Sequence, residues 1–152
     1  MLGLSRAFYI PLLLISTCSQ NASPTADAVG NATAAAEPVL VANPTKVGEC
    51  AERTIAEIAD RSGEKLSRKP IKRGVIDPGS YVRYTNKDTQ VSYEWDAALA
   101  GSKVGDKVRF CLISIPKDCP PGDDRGRVYE TTNLRTNQAW KMPDDQHMCG
   151  GA

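Results

Sequence analysis

The sequence of 152 residues contains little of what most enzymes and membrane-spanning proteins need. It has one histidine, and it contains no nucleophile elbow, no glycine-rich phosphate loop and no zinc-protease helix. No apolar run of about eighteen residues occurs, so no internal transmembrane helix is predicted. The 19 basic residues nearly balance the 18 acidic ones, which argues against a nucleic-acid partner. We therefore expect no enzymatic activity and no cofactor.

The N-terminal part of the chain is typical of an export signal. Residues 1–6 carry one positive side chain, and residues 7–15 (AFYIPLLLI) form an apolar core that is too short for a permanent membrane anchor. Small polar residues follow. We predict that residues 1–17 are a signal peptide and that the protein is exported.

The end of this signal resembles the lipobox of bacterial lipoproteins, in which cleavage precedes a cysteine that becomes lipid-modified. The resemblance lies in residues 14–18 (LISTC), although Thr17 stands where a smaller residue is usual. It implies a lipid on Cys18 and, because Ser19 follows, an outer-membrane anchor facing the periplasm. The alternative is cleavage a few residues later, for example after Ala22, which would release a soluble periplasmic protein.

The remaining chain divides by composition into a tether and one domain. Residues 18–44 are rich in Ala, Asn, Thr, Ser and Pro, and they lack the apolar mass to fold, which predicts a flexible tether. Residues 45–152 are long enough for one modest core and are predicted to form a single α+β domain.

An amphipathic helix is predicted from Thr45 to about Gly63. Glu49–Arg53 and Glu57–Arg61 have the spacing of helical ion pairs. The apolar stripe predicted for this helix consists of Val47, Cys50, Ala51, Thr54, Ile55 and Ile58.

Short strands are predicted after this helix. Residues 81–85 and 91–95 read as a hairpin with Val91, Tyr93 and Trp95 facing inward. The predicted central strand spans residues 108–113, and a second hairpin comprises residues 128–132 and 138–142. The expected fold class is α+β, in which the N-terminal helix packs on a small antiparallel sheet or curled barrel of about five strands.

Four cysteines follow Cys18, and their even number allows complete pairing. They are Cys50, Cys111, Cys119 and Cys149. Disulfide bonds are the expected state in a small exported domain. Three pairings remain open, with a preference for Cys111–Cys119 and Cys50–Cys149.

A recognition surface is predicted from exposed aromatic residues and a charged loop. Pro120 and Pro121 stiffen this loop, and a Cys119 disulfide would hold it. Its clustered acids suit calcium, but the spacing of an EF-hand is missing, so no metal site is expected. The predicted contact residues are Tyr81, Tyr84, Trp140, Asp123, Asp124, Arg125 and Arg127.

Two other functions stay open. The only histidine, His147, follows Asp144 and Asp145, which permits a small periplasmic hydrolase or a metal-dependent protein. The basic segment 61–73 permits binding to anionic lipid or lipopolysaccharide. Its candidate lipid-binding residues are Lys65, Arg68, Lys69, Lys72 and Arg73.

The C-terminal part of the chain resembles short, uncharacterised exported proteins of Proteobacteria. The resemblance is carried by residues 119–126 (CPPGDDRG), residues 133–136 (NLRT) and the ending CGGA. It implies an envelope location and no particular activity. The sequence thus predicts a non-enzymatic envelope binding module whose partner is an envelope protein or an anionic envelope component, with membrane attachment through Cys18 if that residue is lipidated.

Overall fold

The computed structural model describes residues 38–151. The predicted signal peptide, the predicted lipidation site Cys18 and most of the predicted tether lie outside these residues. The elements are β1 (Val39–Leu40), β2 (Glu49–Ala59), β3 (Ser80–Tyr84), β4 (Thr89–Ser92), α1 (Ala97–Ala100), β5 (Lys107–Ser114), β6 (Val128–Asn133) and β7 (Ala139–Pro143). Within the described residues, no helix is long and apolar enough to cross a membrane.

The strands form one curled, mainly antiparallel sheet in the order β4-β3-β2-β5-β6-β7, with β1 added in parallel to β2. The long strand β2 makes the curl possible because its first half pairs with β5 and its second half pairs with β3, on either side of a register shift near Ile55. The edge strands β4 and β7 approach each other, and Thr89 Oγ1 donates a 2.9 Å hydrogen bond to the carbonyl of Asp144. The result is a half-barrel, so the expected curled antiparallel sheet is confirmed.

The predicted N-terminal helix is wrong, because its residues form strand β2. Alternate side chains of this strand, Ala51, Arg53 and Ile55, are buried on one face, which is the period of a strand. This alternation is hard to recognise in the sequence, because a charged residue such as Arg53 is not expected on the buried face of a strand. Its guanidinium donates a 2.9 Å hydrogen bond to Asp88 and lies 5.6 Å from the centre of the Phe110 ring.

The other strands lie close to their predicted places. The two hairpins are present as β3–β4 and β6–β7, and β5 occupies the centre of the sheet. Val91 is buried and Trp95 packs against the core, but Tyr93 is exposed because β4 ends at Ser92. The prediction that Tyr93 faces inward is therefore wrong. The largest fully buried side chains include Trp140, Tyr84, Phe110, Leu112 and Met142.

A buried amide, Gln90, joins the two edges of the curled sheet. Its Nε2 donates to the backbone carbonyls of Tyr129 (2.9 Å) and Met142 (3.1 Å), across the approach of β4 to β7. The Oε1 atom accepts from Tyr84 Oη, Thr131 Oγ1 and Trp140 Nε1 at 2.6, 2.7 and 3.0 Å. An indole N–H can only donate and a backbone carbonyl can only accept, so only this orientation of the amide satisfies every partner.

Two disulfides connect Cys50 with Cys111 and Cys119 with Cys149. The expected disulfide bonding is confirmed, but the preferred pairing of Cys111 with Cys119 and Cys50 with Cys149 is wrong. Cys50 and Cys111 lie directly opposite each other in the β2–β5 ladder. This register depends on β2 being a strand, so the incorrect helix also led to the incorrect pairing.

Candidate functional site

The second disulfide fastens the loop between β5 and β6 to the C-terminal segment. Hydrogen bonds beside the Cys119–Cys149 bridge reinforce this attachment. The amide of Gly126 donates to Asp144 Oδ1 at 2.8 Å, and the amide of Asp144 donates to the carbonyl of Arg127 at 2.9 Å. Two segments that are far apart in the sequence therefore form one rigid wall.

An internal ion pair stiffens the same wall. Arg125 Nε and Nη2 donate to the two carboxylate oxygens of Asp123, each at 2.8 Å. Asp123 also accepts a 3.0 Å hydrogen bond from the amide of Gly150. The hydrogen bonds from Arg125, and then the one from Gly150, hold the pKa of the Asp123 carboxyl well below its usual range. The predicted contact residues Asp123 and Arg125 thus hold the wall in place, and their opposite charges are paired with each other.

A cleft of about 290 Å³ lies between this wall and the turn that connects β3 with β4. Lys87, Asp88 and Thr89 form the opposite side of the cleft. Phe110 and Tyr129 also line it, and their rings stack with centroids 4.0 Å apart and an interplanar angle of 17°. The cleft therefore combines charged walls with a base of two stacked rings that are almost completely buried.

Among the charged wall residues that line the cleft, Asp144 and Asp145 are the ones that form no ion pair within residues 38–151. The neighbouring Asp124, in contrast, pairs with Arg127 at 2.7 Å. Burial raises the pKa of Asp144, although the hydrogen bond from Gly126 opposes this effect. Burial, and then the charge of Asp144, raise the pKa of Tyr129. A cation placed here would stabilise the ionised form of Asp144.

A second hollow of about 180 Å³ lies beside the cleft, along the approach of β4 to β7. The two share Thr89, Asp144 and Asp145, so the acidic pair faces both of them. Tyr81 and Arg61 line the second hollow, and the guanidinium of Arg61 lies 3.8 Å from the centre of the Tyr93 ring.

The structure separates the predicted contact residues into two groups. Asp124, Arg125 and Arg127 line the cleft, and Tyr81 lies at the hollow beside it. Tyr84 and Trp140 are only 0% and 2% exposed, because they bind Gln90 inside the core. The prediction that Tyr84 and Trp140 belong to the contact surface is therefore wrong.

His147 is exposed and does not line the cleft. Its backbone amide donates to Asp145 Oδ1 at 2.8 Å, which turns the chain and leaves the imidazole outside. Within residues 38–151, no group of three or more His, Cys, Asp or Glu side chains could hold a metal ion.

Sequence reasoning missed one side of the cleft and the two stacked rings at its base. Lys87 and Asp88 appeared only as the turn of a predicted hairpin, and Phe110 and Tyr129 appeared only as strand residues. Turn chemistry is visible in the sequence, but the residues that face this turn across the half-barrel are not.

Comparisons of the chain with protein-family models, with curated proteins and with solved structures give no match. The proposed function therefore depends on the geometry of the cleft.

Proposed function

We propose that this chain is an exported, non-enzymatic binding module that receives a basic side chain of an envelope partner in the cleft. The observation that supports this proposal is the unpaired Asp144–Asp145 pair on a wall fixed by the Cys119–Cys149 disulfide. A fixed wall lowers the entropy cost of binding, because its carboxylates need little reordering when the partner arrives.

The chemistry of the cleft favours an arginine or lysine side chain. Its charged end would pair with the carboxylates, and its aliphatic part would contact the small exposed part of Tyr129, since Phe110 and Tyr129 are only 2% and 7% exposed. A charge-assisted hydrogen bond to a half-buried carboxylate is stronger than one at an exposed site. Arginine fits better than lysine, because its planar guanidinium can bind a carboxylate through two parallel hydrogen bonds.

An exported location is consistent with the two disulfides, which persist in oxidising compartments. We propose that the module faces the periplasm, held at the outer membrane by a lipid on Cys18 or released as a soluble protein. The intact mass of the mature protein from membrane extracts distinguishes these forms. A diacylated N-terminal Cys18 supports the anchor, and an unlipidated chain beginning near Ser23 excludes it.

A peptide titration followed by NMR tests the cleft. The probe is a glycine tripeptide amide with arginine at its centre, and its matched control carries citrulline, which has nearly the same shape without the charge. The arginine peptide should shift the amide resonances of Thr89 and Gly126, and the citrulline peptide should bind about ten-fold more weakly. Affinity should also weaken as the pH falls through the raised pKa of Asp144, because the protonated carboxyl has no charge to pair.

The matching protein variants combine Asp144→Asn with Asp145→Asn, and Asp118→Asn serves as the control. Asp118 is exposed, lies in the same loop region and does not line the cleft. The double variant should lose the preference for arginine over citrulline, whereas the control should keep it. Equal shifts with both peptides, or an unchanged preference in the double variant, would refute the proposal.

A further inference from the structure

The long connection between β2 and β3 carries the basic segment and projects part of it into solvent. Both ends of residues 67–77 are fastened to Trp95. The indole Nε1 donates to the carbonyl of Ser67 at 2.8 Å, and the backbone amide donates to Asp77 Oδ2 at 2.8 Å. We call residues 67–77 the finger. Its two ends are held by one tryptophan, so the finger keeps a fixed place on the domain.

The outer part of the finger is apolar as well as basic. Ile76 is 91% exposed and Val75 is 61% exposed, which makes Ile76 the most exposed large apolar side chain of the described residues. The basic residues Lys69, Lys72 and Arg73 are exposed on the same finger and form no ion pair within residues 38–151. Apolar side chains flanked by unpaired cations are typical of surfaces that contact an anionic membrane.

A hollow of about 120 Å³ lies at the base of the finger. Its charged lining residues are all basic, namely Lys65, Arg68 and Lys103, and no acid lines it. Arg68 is held in place because its Nη1 donates to the carbonyls of Ala100 (2.6 Å) and Ser102 (3.1 Å). The apolar residues Ile58, Leu66 and Val104 complete the lining. Three cations and three apolar side chains around one hollow match a phosphate group that is joined to hydrocarbon.

We propose that the finger docks on an anionic phospholipid bilayer. In this arrangement Val75 and Ile76 enter the interface, and the hollow at the base receives a lipid phosphate. The charge of the surface selects an anionic bilayer as occupant, because the exposed cations Lys69, Lys72 and Arg73 lie on the same finger as Val75 and Ile76, and the hollow is lined by cations and by no acid. This surface shares no lining residue with the cleft, so the inference does not depend on the proposed binding of a basic partner.

Vesicle flotation tests the proposal with the full chain, carrying Cys18→Ser in every sample so that no acyl group on that residue contributes. The vesicles contain phosphatidylcholine alone or phosphatidylcholine with phosphatidylglycerol. The chain should float with the anionic vesicles only, and raising the salt concentration should weaken the binding. Equal binding to neutral vesicles, or no binding to anionic ones, would overturn the proposal.

Substitutions separate insertion of the finger from simple charge attraction. Ile76→Ser keeps the charge and should weaken binding about ten-fold, whereas Val47→Ser, which removes an exposed apolar side chain outside the finger, should have no effect. Lys72→Gln and Lys103→Gln should each weaken binding about five-fold, with Lys46→Gln as the control. Since these side chains are exposed, all variants should keep the two disulfides and the native tryptophan fluorescence. An Ile76→Ser variant that binds like the wild type would exclude insertion.

Two further measurements test other occupants. Soluble glycerophosphate at millimolar concentration should not displace the chain from vesicles, because it lacks the hydrocarbon surface. Full displacement would show that the hollow takes a free phosphate compound and would overturn membrane docking. A photo-crosslinker at position 76 should label lipid, and labelling of a protein without vesicle binding would also overturn the proposal.

Discussion

Gln90 is the polar centre of the core, and its replacement by leucine should be one of the most destabilising single changes in this domain. The substitution keeps the approximate size of the side chain but removes five hydrogen bonds, each of which contributes about 1 kcal/mol. The hydroxyls of Tyr84 and Thr131, 3.5 Å apart, can still pair with each other. Trp140 Nε1 and two backbone carbonyls have no such replacement. We therefore expect a loss of about 4 kcal/mol, a large part of the stability of a typical domain.

Gln90→Glu gives a second, pH-dependent form of the same prediction. The buried site should raise the pKa of the new carboxyl, because the ionised form would lose its hydration and face two carbonyl oxygens. A group whose folded-state pKa is raised stabilises the fold most when it is protonated. The variant should therefore be most stable below the unfolded pKa of about 4.3, and it should lose stability as the pH rises from there to the raised folded value.

Urea unfolding followed by tryptophan fluorescence measures both effects with the disulfides intact. Gln138→Leu is the matched control, since Gln138 is exposed and its side chain donates and accepts no hydrogen bond within residues 38–151. This control should change the free energy of unfolding by less than about 0.5 kcal/mol. If Gln90→Leu costs no more than the control, the amide is not a structural centre and the reasoning fails. A Gln90→Glu variant with the same pH profile as the wild type would contradict the burial of this site.

Three other changes test separate parts of the structure. Replacing Cys119 and Cys149 by serine should lower the free energy of unfolding by about 2–4 kcal/mol. It should also weaken the binding of the arginine peptide in NMR titrations. An unchanged affinity would show that the wall does not need the bridge. Asp106→Asn should cost about 2 kcal/mol at neutral pH, because two 2.7 Å hydrogen bonds from Arg135 are charge-assisted. These bonds hold the pKa of Asp106 well below its usual range, so the difference from the wild type in urea unfolding should begin to shrink only as the pH falls below the unfolded value of about 3.9, and a difference that stays constant at more acidic pH would refute the assignment. Gly79→Ala should cost about 3 kcal/mol, since φ is +77° and a Cβ would collide with a backbone carbonyl of β4, and a melting temperature like that of the wild type would contradict this clash.

The strands that could be predicted are those whose apolar pattern agrees with their burial. Residues 81–85 and 138–142 alternate between buried and exposed side chains, and turn residues separate each strand from its partner. Local sequence and global fold therefore point to the same structure, which is the condition under which reading a pattern succeeds.

Strand β2 could not be predicted because a charged residue occupies its buried face. With Arg53 read as exposed, the apolar residues around it fit a helical period better than a strand period. The partners of the Arg53 guanidinium become visible only in the fold. Asp88, in a distant turn, accepts its hydrogen bond, and Phe110, on the neighbouring strand, places its ring beside it. Pairing along both edges of β2 then outweighs the small differences in intrinsic propensity between helix and strand.

The candidate site could be predicted only in part. From the sequence, the charged loop at residues 123–127 is assigned to a recognition surface, whereas Asp144 and Asp145 are assigned with His147 to an alternative hydrolase or metal-dependent function. The Cys119–Cys149 bridge joins the two segments into one wall, and the turn at Lys87 faces that wall across the cleft. Such proximity depends on how the half-barrel curls, which no local pattern records.

The two disulfides have different consequences, and their positions in the fold explain why. They close separations of 61 and 30 residues, and on chain entropy alone each contributes a similar stabilisation of about 2–4 kcal/mol. The Cys50–Cys111 bridge joins strands that the β2–β5 ladder already holds together, so in the folded state it adds little new order. The Cys119–Cys149 bridge instead joins two segments outside the sheet, next to the unpaired carboxylates. Stability therefore depends on both bridges, whereas the shape of the cleft depends on the second, so binding and unfolding should respond differently to the loss of each.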